Sequence, residues 1–371
     1  MSASVLFNSS CGFEAYLESH GLESRVLARL PMDHQLLSIC VNGEAPTIMI
    51  TAGSHADEIA GVFASVELLI RMVKGELAVP NRVVFVPLRD PIGWDGFNHA
   101  LASVTGRHLD IMCHDEAKSL LTSLPTATCH ESGRLFIATV NDLAFCSIPR
   151  TRYRSSVISR QLLASAVEQD ATARNMLIGK RVLIPGIVEG PDTRNPYGWG
   201  GNTAIVTQDA EVGNLNRFFD SDAPPPEVMA VRDLLDKEQP GLCLDLHEGF
   251  STGFSLFLPP EPSRDALQLA RVMTDAVGEK YDLTATSSLL PIWGEAARRI
   301  KELAPGIFTI YHRVGDAGGD RSSCGGYASS YGVSITTEPG MDGNLGDRIA
   351  MLVRGCEAVI QRFHEMHTGG E

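Results

Sequence analysis

The stretch Ile50-Thr-Ala-Gly-Ser-His55-Ala-Asp-Glu58-Ile-Ala-Gly61 constrains this chain more than any other. Pro46 to Ile50 is a short apolar run of the kind that makes a buried strand. Ile59, Val62, Phe63, Val66, Leu69, Ile70 and Val73 then follow the one-face spacing of an amphipathic helix. Between the two, a small-residue loop carries His55, and Glu58 opens the helix. An imidazole and a carboxylate three residues apart at a strand end suit one borderline-soft divalent ion, zinc above all. Alone, H-x-x-E is a weak signal, because a glutamate at a helix start ordinarily complements the helix dipole. Its meaning depends on a third ligand and a base in similar settings.

Two further runs supply them. Gly241-Leu-Cys-Leu-Asp245-Leu-His247-Glu248-Gly ends an apolar run in a histidine, and Val333-Ser-Ile-Thr-Thr-Glu338-Pro-Gly ends a β-rich run in a carboxylate that Pro339 and Gly340 turn away. In open α/β sheets the ligand site lies outside the carboxyl ends of the strands. Three strand ends thus deliver His plus Glu, His, and Glu. Three protein ligands with an open fourth position mark a catalytic zinc rather than a structural one, and the remaining glutamate is free to act as a base. The bland alternative is a set of unrelated polar residues at strand ends. Asp245, two residues before His247 and so on the same strand face, either orients a ligand or is an ordinary solvated or capping aspartate.

Composition frames this reading. The 371 residues are 44% hydrophobic and 20% charged, as in a globular enzyme with a substantial core. A net charge of -14 argues against a nucleic-acid or anionic-membrane surface, although a local arginine can still attract a small anion. No apolar run is long enough to span a bilayer, and the N-terminal residues lack the pattern of a secretory signal. The eight cysteines are scattered without a C-x-x-C pair, which fits reduced thiols in the cytoplasm.

Strands are expected at 82–86, 181–185 and 254–258, and helices at about 159–176, 263–278, 294–303 and 344–363. A further helix is opened by Pro224-Pro-Pro-Glu. Alternating strands and helices predict an α/β fold with a mixed, mostly parallel sheet flanked by helices. The whole chain, 1–371, reads as a single domain, with 98–190 as an insertion or subdomain because its pattern loosens there.

The ordered set H-x-x-E, N-x-N-R-x-F, strand-end D-L-H and strand-end Glu resembles the zinc carboxypeptidase superfamily. Gly53-Ser-His55-Ala-Asp-Glu58-Ile-Ala-Gly61 and Asn214-Leu-Asn216-Arg217-Phe-Phe-Asp220 are particularly similar to its succinylglutamate desuccinylase/aspartoacylase branch. The likeness covers about residues 46 to 360, without the inserted segment. It implies one zinc per chain held by His55, Glu58 and His247, a substrate carboxylate held by Asn216 and Arg217, and Glu338 as general base. The implied activity is hydrolysis of an amide beside a carboxylate, either in a small peptide, as a metallocarboxypeptidase, or in an N-acyl amino acid, as a deacylase. Zinc lowers the pKa of its bound water and polarises the scissile carbonyl, and a positioned glutamate moves the proton.

Some parts of the pattern are ambiguous. Asp90-Pro91-Ile-Gly93-Trp94 and Asn195-Pro196-Tyr197-Gly198-Trp199 compete for the N-P-x-G motif of carboxypeptidases. Arg107, Arg194 and Arg89 are candidates for polarising the carbonyl, with Arg194 preferred. Tyr327 and Tyr331 are candidate proton donors. His108 and His114, with Asp110, Asp115 and Glu116, offer a second metal cluster that more often is a solvated face. His130-Glu131 reads as an exposed turn. The rival class is a non-catalytic metal- or ligand-binding protein on the same fold, which would have no use for Glu338 at the open position.

Overall fold

The computed structural model describes residues 6–149, 155–186, 194–293, 299–310 and 322–368, of which 155–158 and 290–293 are described by their backbone alone. The chain begins α1 (Ser10–Ser19), β1 (Ser24–Arg29), β2 (Gln35–Val41), β3 (Glu44–Ala52), α2 (Ile59–Val73), β4 (Asn81–Val86) and α3 (Pro91–Thr105). It continues α4 (His114–Ser123), β5 (Ala127–Ser132), β6 (Leu135–Val140), β7 (Leu143–Ser147), α5 (Ser155–Gln169), α6 (Ala171–Leu177), β8 (Arg181–Ile184), β9 (Asn202–Val206) and β10 (Val212–Asn214). It ends α7 (Pro226–Glu238), β11 (Leu242–Leu246), β12 (Phe254–Leu258), α8 (Arg264–Gly278), α9 (Thr286–Trp293), β13 (Ile300–Ala304), β14 (Ile307–Ile310), α10 (Cys324–Ala328), β15 (Val333–Pro339) and α11 (Leu345–Thr368).

Among the described residues two sheets form, in the orders β1-β2-β4-β3-β11-β15-β12-β14-β13 and β10-β9-β8-β7-β6-β5. The fold is mixed α/β with helices flanking the sheets. In the large sheet β4, β3, β11 and β15 run parallel as one central block, β12 pairs parallel with β14, and the remaining pairs are antiparallel. Parallel strands buried on both faces need apolar residues at every position. In β3, Ile48 and Ile50 enter the core under α2 and α11, while Met49 enters the core on the opposite face. β11 does the same with Leu242 and Leu244 against Cys243. The second core joins the back of the large sheet to Phe136, Phe145 and Leu183 of the smaller one. A third core lies between the smaller sheet and α5 and α6, where Leu163 and Leu177 are fully buried.

Three elements differ from expectation, and the first is the helix expected over 159–176, which breaks at Asp170, the N-cap of α6. The helix expected over 294–303 is not formed at its C-terminal half: Ile300–Ala304 is β13, an edge strand antiparallel to β14. Gly306, at φ 72°, makes the tight hairpin turn between them, and cross-strand pairing outweighs helical periodicity in so short a run. Residues 294–298 lie outside the described residues. His130 and Glu131 lie within β5 rather than in a turn, paired with Ile137 and Phe136. The segment 98–190 supplies α4 to β8, and β9 and β10 complete that sheet. No helix among the described residues is long and apolar enough to cross a membrane.

Candidate metal centre

The register of the central block places the site. Ala52 pairs with Leu246, and Leu246 with Thr337, so His55 and His247 follow the ends of β3 and β11 while Glu338 lies among the last residues of β15, beside them. Glu58 is the N-cap residue of α2. α2 comes close to β11 because Gly61 has no side chain: a Cβ there would stand 2.6 Å from the Leu246 carbonyl oxygen. His55 Nδ1 lies 2.7 Å from Glu58 Oε1, and His247 Nδ1 lies 2.7 Å from Glu58 Oε2. The two rings meet edge to face with centroids 5.0 Å apart. All three ligand atoms fall within 4.8 Å of one another, and all three residues are buried.

A layer behind the ligands holds them. His247 Nε2 is 3.1 Å from Asp245 Oδ2, 3.2 Å from Asn216 Nδ2 and 3.3 Å from Ser54 Oγ. Asp245 Oδ1 accepts from Thr51 Oγ1 at 2.7 Å and from Arg89 Nη1 at 3.0 Å. Glu248 Oε2 accepts the Ala60 amide at 2.7 Å, Glu248 pairs with buried Arg348, and the Glu248 amide donates to Glu58 Oε2 at 3.3 Å. Such outer partners fix the orientation of metal ligands.

Burial drives the His55 pKa down to about 4, so its ring is neutral at physiological pH, as a metal ligand must be. Burial alone would lower His247 too, but the Asp245 and Glu58 carboxylates reverse this and raise it well above its ordinary value. Burial opposes ionisation of Glu58, and the two imidazoles outweigh it and hold the carboxyl below its usual range. Two carboxylates converge on the His247 imidazole, and His55 Nε2 is buried without a hydrogen-bond partner. Two imidazole nitrogens and one carboxylate are a donor set that fits zinc.

Two cavities meet at this point. One, of about 230 Å³, is lined by His55, Asn216, Arg217, His247 and Glu338; the other, of about 570 Å³, by His55, Glu58, Arg160, Arg217 and Glu338. Glu338 is half-buried where the two cavities meet, and desolvation there with the neighbouring Glu58 charge pushes its pKa up to about 8. Gly249 makes room for it: a Cβ there would stand 2.9 Å from Glu338 Oε2.

The expected residues fall into distinct places. Arg217 follows β10 and lines both cavities, with its side chain open to solvent. Asn216 lines the smaller cavity, and its Oδ1 accepts from the Cys324 amide at 2.9 Å and from Arg89 Nη2 at 3.2 Å. Arg194 lies over the Trp199 ring and lines neither cavity. Of its rivals, Arg89 is spent on Asp245 and Asn216, and Arg107 is exposed beyond the end of α3. Tyr327 and Tyr331 both donate to Asp236 Oδ1, at 2.7 and 2.6 Å, and line neither cavity. His114 faces Ser147, and the described residues around it form no three-ligand group. Sequence reasoning missed Arg160, Glu248 and Arg348. Only the apolar setting of Glu248 at a strand end hinted at burial.

No protein-family model matches the chain. No curated protein matches it either. Among solved structures the chain is similar to a metallo-carboxypeptidase from Burkholderia cenocepacia (13% identity, 97% of this chain and 70% of that one, TM-score 0.48). It is similar also to bovine thrombin-activatable fibrinolysis inhibitor in complex with tick carboxypeptidase inhibitor (11%, 97% and 98%, TM-score 0.49) and to carboxypeptidase A from Helicoverpa armigera (14%, 97% and 74%, TM-score 0.47).

Proposed function

We propose that this chain is a zinc-dependent hydrolase that cleaves an amide bond beside a carboxylate, in a small peptide or an N-acyl amino acid. The observation that carries the reading is the pair of imidazole Nδ1 atoms, each 2.7 Å from one oxygen of Glu58, at a cavity shared with half-buried Glu338. His55, Glu58 and His247 would hold one zinc ion. When bound, zinc supplies a Lewis acid for the scissile carbonyl and makes water a stronger acid. Glu338 takes a proton from the attacking water onto a carboxylate oxygen and delivers it to the departing amine nitrogen. Its raised pKa suits both transfers near neutral pH. Arg217 grips the substrate carboxylate through two parallel hydrogen bonds, and Asn216 lines the same wall. For the cation that polarises the carbonyl, Arg160 has a better position than Arg194, because it lines the large cavity with His55 and Glu338.

A non-catalytic binding protein on this fold would have no need for a carboxyl group at the cavity with its pKa raised to about 8, so Glu338 favours the enzyme. We place the protein in the cytoplasm, where its unpaired cysteines stay reduced. The 98–190 segment, in this reading, is a subdomain of one hydrolase domain that brings Arg160 to the cavity. The test is zinc quantification coupled to a screen of C-terminal dipeptides and N-acyl amino acids. One zinc per chain at the centre with turnover of either class supports the proposal. A zinc-loaded protein inert on both classes overturns it.

A further inference from the structure

A second histidine–carboxylate group lies away from the cavities. Asp95 and His99 stand four residues apart on α3, and His34 follows the short turn Pro31–Asp33. Their ligand atoms lie within 4.8 Å of one another. Asp95 Oδ2 is 2.8 Å from His34 Nε2 and 3.8 Å from His99 Nε2. Bonds of about 2.0–2.1 Å in tetrahedral geometry put ligand atoms roughly 3.3 Å apart. One separation is therefore about half an ångström short and the other about half an ångström long. His99, with 49% of its side chain exposed, can move to take up the difference.

The two inner ligands are already supported from behind. His34 Nδ1 lies 3.1 Å from the Pro31 carbonyl oxygen, to which it donates, which leaves Nε2 as the ligand atom. Asp95 Oδ1 accepts the Ser10 amide, and Oδ2 accepts Ser10 Oγ at 2.7 Å. We propose that His34, Asp95 and His99 form a second metal site, open to solvent through His99, for a divalent ion that favours imidazole, such as Zn²⁺, Ni²⁺ or Cu²⁺. Binding replaces the proton between His34 Nε2 and Asp95 with the ion and ties α1, the 31–33 turn and α3 together. This site is independent of the hydrolase centre.

The test is equilibrium dialysis of the full chain against zinc chloride, followed by elemental analysis and thermal melts. The parent is expected to hold two equivalents, His99→Ala one, His247→Ala one, and the double variant none. His34→Gln removes the same equivalent from the buried side. The zinc-induced rise in Tm should survive in His247→Ala and vanish in the double variant. Because His99 lines neither catalytic cavity, His99→Ala should hydrolyse substrate at the parent rate. If the parent and His99→Ala hold the same number of zinc ions, the second site does not exist. If His247→Ala keeps the parent's count, it is the central ligand set that fails, and this site stands or falls on the His99 result alone.

Discussion

At the ends of β3 and β11 both imidazoles turn Nδ1 to the two oxygens of one glutamate; beside α3 both turn Nε2 to one oxygen of an aspartate. The residue types are nearly the same, yet the surroundings are opposite. The central group is wholly buried and opens onto cavities lined by Glu338 and Arg217. The group beside α3 opens directly to solvent through His99, and Ser10 closes its other side. In the proposed reading, a metal held in the first faces a cavity shared with Arg217 and Glu338. A metal held in the second can only brace the fold. Ligand sets alone therefore do not make a catalytic centre. In the proposed reading, the shaped volume and the carboxyl beside it do.

The largest effect expected from breaking this contrast is at His247. His247→Ala removes a ligand without opening the apolar core, so zinc at the centre and all hydrolysis should be lost while the melt stays cooperative. Central metal content equal to that of the parent would rule out this ligand set. Next is Glu338→Gln, which keeps shape but cannot take a proton. Turnover should fall roughly 10²–10⁴-fold with zinc content unchanged. Near-parental turnover would mean that another residue activates the water.

The third effect concerns the α3 group in metal-free protein. Burial would lower the His34 pKa, but its hydrogen bond to Asp95 raises it above 6.5; burial would raise Asp95, but the bond to His34 and those from Ser10 lower it below 3.8. The histidine's contribution to stability is full below its unfolded value and is lost as pH rises through its folded one. The aspartate's is full above its unfolded value and is lost as pH falls through its folded one. The pair therefore stabilises most between 3.8 and 6.5. His34→Gln should cost roughly 3–5 kcal/mol there, as for a broken buried pair, and the gap in Tm from the parent should close towards pH 9. A gap independent of pH between 5 and 9 would show that packing, not charge, is what His34 contributes.

The smallest effect is on specificity. A forked Arg217–carboxylate pair should contribute on the order of 1.5–3 kcal/mol. An acid substrate should then outrun its carboxamide by roughly ten-fold or more in kcat/KM. Arg217→Ala should lose most of that preference, and Arg217→Lys should not restore it, since an ammonium lacks the planar fork. Equal rates on acid and amide in the parent would remove the carboxylate from the substrate class.

What could be read from the residues was local. The apolar runs of β3, β11 and β15, the period of α2 and α11, and the three-residue spacing of His55 and Glu58 are each written within a few turns or one strand. Buried parallel strands and an amphipathic helix have patterns that hardly depend on their neighbours. The rule that sites lie at strand carboxyl ends then placed His247 and Glu338 near His55 from the residues alone. Arg89 shows the limit of such reading: its position after β4 suggested catalysis, whereas tertiary packing commits it to Asp245, 156 residues away.

The pairings that only the folded chain decided all join distant segments. His34 finds Asp95 across 61 residues, Arg348 finds Glu248 across 100, and Arg160 reaches the cavity from α5. None of these leaves a periodic trace, because a hydrogen bond or ion pair needs one atom in one place and not a repeating face. β13 was decided the same way, by a free strand edge that β14 offered to a run too short to hold a helix. The sequence by itself determined the placement of His55, His247 and Glu338 at strand ends, the helix behind them and the class of fold. Tertiary structure determined which polar residue answers which, since buried charges take the partners that packing brings within reach.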